Sequence, residues 1–202
     1  MSGSNSPLGL FGGRFDPVHR AHIKIAQAVA DQLKLDEVRW IVTGSPVHKP
    51  TVASASHRLR MVELALADLC DPRMVADDRE IIAAQAGHTN YSADTIASFK
   101  VQFPERKLVW ILGEDQLEEF HSWSRWQWIV QQVTLAVCAR PKTKISTVAE
   151  ALKIDGADIQ WINISPDSVS STAIRDRIRS NESVNDLLPR SVADYVSDNR
   201  LY

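Results

Sequence analysis

Leu8-Gly-Leu-Phe-Gly-Gly-Arg-Phe-Asp-Pro-Val-His-Arg-Ala-His22 reads as a strand, a glycine turn and the start of a helix. Leu8 to Phe11 is a short apolar run of the kind that forms a buried strand. Gly12 and Gly13 let the backbone turn sharply and let a ligand approach it closely. Pro17 restrains the loop and pushes Asp16 away from helical geometry. From about Arg20 the apolar positions Ile23, Ala26, Ala30 and Leu33 follow helical spacing. His19 and His22 stand three apart where that helix begins, on nearly the same face. A helix N-terminus attracts anions through its free N–H groups and dipole, so this pair suits a phosphate clamp. Two histidines alone are also a metal half-site, but a zinc site expects a fuller ligand set. Without the Gly-Gly turn, two unrelated surface histidines would be the better reading.

Working outward, Val38–Thr43 is a second strand, which completes a right-handed strand–helix–strand unit of a parallel sheet. Gly44 to Ser56 is a loop leaving the carboxyl end of that strand, where ligands bind in open α/β sheets. His48 and Lys49 put positive charge on it. His57–Leu69 is a helix with Leu59, Val62, Leu66 and Leu69 on one face, stopped at Asp71-Pro72. Arg73–Ala76 is a short strand candidate, and 77–87 reads as a connecting segment. Ser92 caps a helix that runs to about Phe103, before Pro104. Lys107–Leu112 is an apolar central strand with Gly113 and Asp115 at its carboxyl end. Trp126 and Trp128 read as helix-packing residues, and Trp123, at a break, as core or as a stacking surface for a flat ring. Thr134–Ala139 is a further strand, Ser146–Lys153 a helix and Ile159–Ile164 a strand. In Val169-Ser-Ser-Thr-Ala-Ile-Arg175 the hydroxyls supply capping oxygens and phosphate donors, and Arg175 falls in the first helical turn. Val192–Leu201 is a closing helix.

The 202 residues fit one domain, with 1–7 a flexible start and 166–202 a C-terminal helical part. Apolar content of 44% and charged content of 24% are those of a soluble globular protein. A net charge of −2 and a pI near 6.3 give no polyanion-binding signal, so nucleic acid is not an expected partner. Cys70 and Cys138 sit among apolar residues and read as buried free thiols. Met1–Pro7 lacks the features of a secretory signal, and no apolar run approaches spanning length, so a cytoplasmic protein away from membranes is expected. There is no Gly-x-x-x-x-Gly-Lys-Ser/Thr motif, no Gly-x-Gly-x-x-Gly after a strand and no nucleophile elbow. The fold class is therefore α/β: a Rossmann-like open parallel sheet of five to six strands flanked by helices.

Gly-Gly-Arg-Phe-Asp-Pro-Val-His-Arg-Ala-His resembles the signature of the His-x-x-His nucleotidyltransferases, and more narrowly that of bacterial nicotinate-nucleotide adenylyltransferases. Arg14 stands where that family has a small hydroxyl residue, and Ala21 where it has Gly. Ser-Pro-Val-His-Lys-Pro resembles the family's Pro-His-Lys loop. Asn90-Tyr-Ser-Ala-Asp-Thr-Ile96 resembles its pyridine-nucleotide segment, and the Gly113–Trp126 stretch its Gly-x-Asp…Trp-x-x-Trp block. Val169–Arg175 matches the second superfamily signature. The resemblance covers nearly the whole chain. It implies transfer of the adenylyl group of ATP to nicotinate mononucleotide, giving deamido-NAD and pyrophosphate in NAD biosynthesis. The site expected from it has His19, His22, Lys49 and Arg175 as the catalytic set. Gly12, Gly13, Arg14, Phe15, Asp16, Gly113, Asp115, Ser170, Ser171, Thr172 and Ile174 would bind ATP. His48, Tyr91, Ser92, Thr95 and Trp123 would bind the mononucleotide. His22 is assigned to the α-phosphate and His19 to the departing phosphates, with Lys49 and Arg175 neutralising the triphosphate. Mg²⁺ is expected on the ATP phosphates and water, with no protein-held metal. Nicotinamide mononucleotide or pantetheine phosphate as acceptor, or an inactive nucleotide-binding regulator, are the alternatives. Oligomeric state is left open.

Overall fold

A computed structural model describes residues 6–45, 51–139, 146–165 and 169–202. In chain order the elements are β1 (Leu8–Gly13), α1 (Arg20–Gln32), β2 (Glu37–Val42), α2 (Ala55–Leu69), β3 (Met74–Asp77) and α3 (Arg79–Gln85). Then come α4 (Ser92–Gln102), β4 (Leu108–Gly113), α5 (Glu114–Glu118), a 3₁₀ turn (Phe120–Ser122), α6 (Trp126–Gln132) and β5 (Val133–Ala139). The chain closes with α7 (Thr147–Ile154), β6 (Asp158–Asn163), α8 (Ser171–Arg179) and α9 (Arg190–Asp198). Among the described residues six strands form one sheet in the order β3-β2-β1-β4-β5-β6. This is the doubly wound order in which ligands sit beyond the carboxyl ends of the strands, near the switch between β1 and β4. The open α/β sheet expected from sequence is the one formed. No described helix is long and apolar enough to cross a membrane.

The chain packs as two compact units. The first comprises Met1–Gly12, Ile25–Arg39 and Tyr91–Pro166. In it β1, β4, β5 and β6 pair in parallel, with Leu8 opposite Leu108, Leu108 opposite Val133, and Thr134 opposite Asp158. Leu8, Leu10, Leu108, Ile111, Leu135 and Val137 are buried, as strands covered on both faces require. On the outer strand β6 only Ile159 and Ile162 point inward. Ser6 and Pro7 are not loose: the Arg106 guanidinium donates to both carbonyls, at 3.0 and 3.4 Å, and to Glu37 at 2.8 Å.

The second unit comprises Gly13–Lys24, Trp40–Asn90 and Asp167–Tyr202. Helix α2 lies against β3 and α9, with Leu188, Val192 and Val196 buried. Its buried face is Arg58, Met61, Val62 and Ala65, which shares only Val62 with the expected stripe. The segment read as a connection contains α3, led in by Asp77, whose carboxylate accepts from Arg79 Nε at 2.7 Å. Gly44 passes so close to α3 that a Cβ there would lie 2.2 Å from the Glu80 carbonyl oxygen, so no other residue fits. Cys70 is exposed rather than buried, because it ends α2 in the left-handed conformation at φ 52°.

Candidate active site

In the second unit the Gly-Gly turn gives way to the histidine pair. A Cβ on Gly13 would meet the Phe15 ring at 2.7 Å, so glycine there is what lets Phe15 fold under the turn. Phe15 is buried and packs edge-on against His22, ring centres 5.1 Å apart, and against Trp40 at 5.4 Å. His19 immediately precedes α1, and its carbonyl accepts from the His22 N–H at 3.0 Å. The two imidazoles stack at 3.7 Å with planes 25° apart. The His19 backbone N–H donates to His22 Nδ1 at 3.2 Å. A neutral His22 must then carry its proton on Nε2. Desolvation, and then the charge of neighbouring His19, hold His22 well below the usual imidazole range. Without an anion the ring is neutral at pH 7.

Helix α8 comes to the same loop. Ser170 caps it, its Oγ accepting from Ala173 N–H at 3.2 Å. Ser171 Oγ donates to the Pro17 carbonyl at 3.0 Å. Arg175 is the fifth residue of α8, a turn further in than expected, and its guanidinium reaches back toward the loop. Nη1 donates to the Asp16 carbonyl at 2.8 Å and Nη2 to Thr172 Oγ1 at 3.2 Å. Its Nε is buried and has no partner among the described residues. The structure thus brings together Gly13, His19, His22, Ser170, Ser171, Thr172 and Arg175.

Three of the residues expected to bind ATP have side chains engaged within the protein. The Asp16 carboxylate is buried and already accepts from Val52 N–H at 2.7 Å, Ala53 N–H at 3.1 Å and the Tyr202 hydroxyl at 2.8 Å. Ile174 is a buried core side chain and Phe15 a buried ring, so neither side chain presents itself to a nucleotide. Arg14 is half-buried, and its carbonyl is held by Arg58 at 2.8 Å. His48 and Lys49 lie outside the described residues.

Arg58 is the residue that the sequence reading missed. It is fully buried and donates to three carbonyls, of Arg14 at 2.8 Å, Ala53 at 3.3 Å and Gly44 at 3.4 Å. Burial pulls its guanidinium downward while the Asp16 charge pulls the other way. The available signal was an arginine at helical spacing with Met61, Val62 and Ala65, on a face otherwise apolar. Tyr202 was missed too, and nothing local marks it.

In the first unit, Gly12 faces the Trp110 ring, which a Cβ would touch at 3.2 Å. Gly113 starts α5, and a Cβ on it would lie 2.6 Å from Asp115 Oδ1, so Asp115 folds back over the strand end. Trp123 is half-buried, stacked on Phe120 at 4.9 Å and edge-on to Trp110 at 6.3 Å. Trp126 and Trp128 are half-buried rather than core: Trp126 meets His121 at 4.5 Å and Trp128 lies under Arg125. Tyr91, not Ser92, holds the cap position of α4 and is exposed; Ser92 is the first helical residue and Thr95 is buried. The Asp94–Arg125 ion pair ties α4 to the tryptophan block, so the expected acceptor residues Tyr91, Ser92 and Trp123 belong to neighbouring elements.

The cytidylyltransferase-like family model matches residues 10–177. A protein of Neisseria meningitidis serogroup B named "Probable nicotinate-nucleotide adenylyltransferase" is 37% identical, over 96% of this chain and 98% of its own. One of Bordetella petrii with the same name is 38% identical, again over 96% and 98%. Among solved structures, a Plasmodium falciparum nicotinic acid mononucleotide adenylyltransferase complexed with NaAD aligns with a TM-score of 0.82 at 19% identity, over 98% of this chain and 97% of that one. That likeness supports the fold; the full-length sequence matches support the family. With both superfamily signatures in place, the chain belongs to the cytidylyltransferase-like family and, within it, to the nicotinate-nucleotide adenylyltransferases.

Proposed function

We propose that this protein transfers the adenylyl group of ATP to nicotinate mononucleotide, releasing deamido-NAD and pyrophosphate in NAD biosynthesis. The observation that carries the reading is the stacked His19–His22 pair at the start of α1, in a chain matched along its length by relatives of that name. A phosphate oxygen of the mononucleotide attacks the α-phosphorus of ATP. The bond from that phosphorus to the bridging oxygen breaks, and pyrophosphate leaves with the electron pair. The attacking oxygen is already anionic, so no general base is required, and catalysis is positioning plus charge stabilisation. His22 donates from Nε2 to an α-phosphoryl oxygen, which follows from its Nδ1 being held by the His19 N–H. His19 and Arg175 face the departing phosphates, joined by Lys49, and Thr172 supplies a hydroxyl. Ser171 serves by holding Pro17.

In the first unit, Trp123 offers a ring face braced by Phe120 and Trp110 for the nicotinate, with Tyr91 and Ser92 at the start of α4 beside its block. Mg²⁺ would be held by the triphosphate and water and would supply charge neutralisation there. The donor set fits an ion brought by the nucleotide: the Asp16 carboxylate is filled by three donors, and the other described side chains beside it at the start of α1 and α8 offer N–H groups and hydroxyls. We assign the reaction to the cytoplasm.

The test is pyrophosphate release from ATP and Mg²⁺ with nicotinate mononucleotide, nicotinamide mononucleotide or phosphopantetheine as acceptor. Turnover strongly favouring the first is expected. Preference for another acceptor overturns the Trp123 assignment while keeping the phosphate clamp. Silence with all three, from folded protein that binds ATP, overturns the catalytic reading.

A further inference from the structure

We infer that Tyr202 and Asp16 are a positioning pair for Arg175, and this rests on the adenylyl-transfer reading. Arg175 has two anchors. One, Thr172 Oγ1, is on its own helix; the other, the Asp16 carbonyl, is on the loop that carries His19 and His22. The distance between the arginine and the imidazoles is therefore set by where the backbone at Asp16 sits. That backbone is held in turn through the Asp16 side chain. Val52 and Ala53 amides grip it from one side, and the Tyr202 hydroxyl, 186 residues away in sequence, grips Oδ1 at 2.8 Å. The same hydroxyl lies 4.0 Å from Met61 Sδ on α2, so the ring is seated between the loop and that helix. Burial, reinforced by the Asp16 charge, raises the phenol far above its ordinary value, so it stays protonated and donates. Ser171 Oγ on Pro17 O makes a parallel tie one residue on. Tyr202 touches no reacting atom here; it acts through Asp16 on the arginine.

The experiment is a double-substitution cycle on the full chain with Tyr202→Phe and Arg175→Lys. The first removes one hydroxyl and keeps the ring; the second keeps the charge but loses the guanidinium fork that reaches Asp16. Tyr202→Phe is expected to lower kcat/KM for ATP about tenfold, the worth of one hydrogen bond to a charged group. KM for nicotinate mononucleotide should hold within about twofold, and in the Arg175→Lys background the loss should vanish. A fall in thermal midpoint with kcat/KM for ATP unchanged would show a merely structural tyrosine and overturn the inference. So would a loss of equal size in both backgrounds, or a rise of both KM values together. Asp16→Asn is the second variant, since it keeps the carbonyl for Arg175 but exchanges one carboxylate acceptor for a donor; the same coupling to Arg175 is expected. Wild-type protein without turnover sinks the reaction reading alone, and the cycle is then read on equilibrium ATP affinity, where the same coupling must appear.

Discussion

Replacing Arg58 by methionine isolates what a buried cation contributes to this loop cluster. Methionine fills a comparable length but has no N–H to donate. The carbonyls of Arg14, Ala53 and Gly44 each lose a donor, and the buried Asp16 carboxylate loses its nearby positive charge. Each orphaned carbonyl costs on the order of 1–3 kcal/mol. Breaking a buried ion pair from one side costs about 3–5 kcal/mol. These penalties overlap, because the groups share one cluster, and the larger figure bounds the total better than the sum does. Asp16 keeps three hydrogen-bond donors, which moderates the loss. A destabilisation of about 3–5 kcal/mol is therefore expected, lowering Tm by roughly 10 °C in a chain of this size. Arg58→Lys retains the charge but not the fork, and should lose about half as much. Urea denaturation followed by circular dichroism measures it, through a lower midpoint at unchanged slope. A change below about 1 kcal/mol in Arg58→Met would refute the claim that this cluster depends on its arginine.

Four further outcomes follow from the geometry. His22→Ala should lose at least about a hundredfold in turnover, by comparison with removal of one oxyanion donor, and near-normal activity would overturn its role. Gly13→Ala drives a Cβ to 2.7 Å from the Phe15 ring and must push it off His22; a destabilisation of about 1–3 kcal/mol with reduced turnover is expected from such overpacking, measured by urea midpoint and initial rate. The lowered His22 pKa makes the unfolded chain hold more protons than the folded one just below pH 6.5. Stability should thus rise with pH up to about 6.5 and level off above it, and urea midpoints of His22→Asn should lack that component. Thiol titration with an aromatic disulfide should label exposed Cys70 in the native protein, and Cys138 only on unfolding, since burial pushes its thiol up to about 12.

The strands and the histidine pair at the start of α1 were legible because their signals are local. Leu8–Phe11 and Leu108–Leu112 are apolar runs bounded by glycine, and they form adjacent parallel strands. The His19–His22 spacing places two rings on one face of a helix start, and the rings stack there. Elsewhere the local signal did not tell the whole environment. Asp16 is polar and sits in a signature loop, so it read as a ligand contact; its carboxylate accepts from residues 52, 53 and 202, which no local signal foretold. Ser92 has the chemistry of a cap, but the helix begins one residue earlier, leaving Tyr91 in that place. Cys70 lies in an apolar stretch, yet the left-handed end of α2 turns it outward.

That pattern bears on how the site works. A motif residue that touches a nucleotide and one that holds the motif in shape are chemically alike in sequence; only the partner tells them apart. In the signature loop, the side chains of Asp16 and Phe15 and the carbonyls of Arg14, Asp16 and Pro17 are taken up by the protein. Nδ1 of His22 is taken up by the His19 N–H, and the Nε of Arg175 is buried without a partner among the described residues. A transferring phosphoryl group needs donors that do not move as charge develops. Spending most of a signature loop on internal bonds holds such donors in place. The loop's sequence is then fixed by rigidity as much as by contact, and substitutions at Asp16 or Arg58 should cost activity without either side chain meeting ATP.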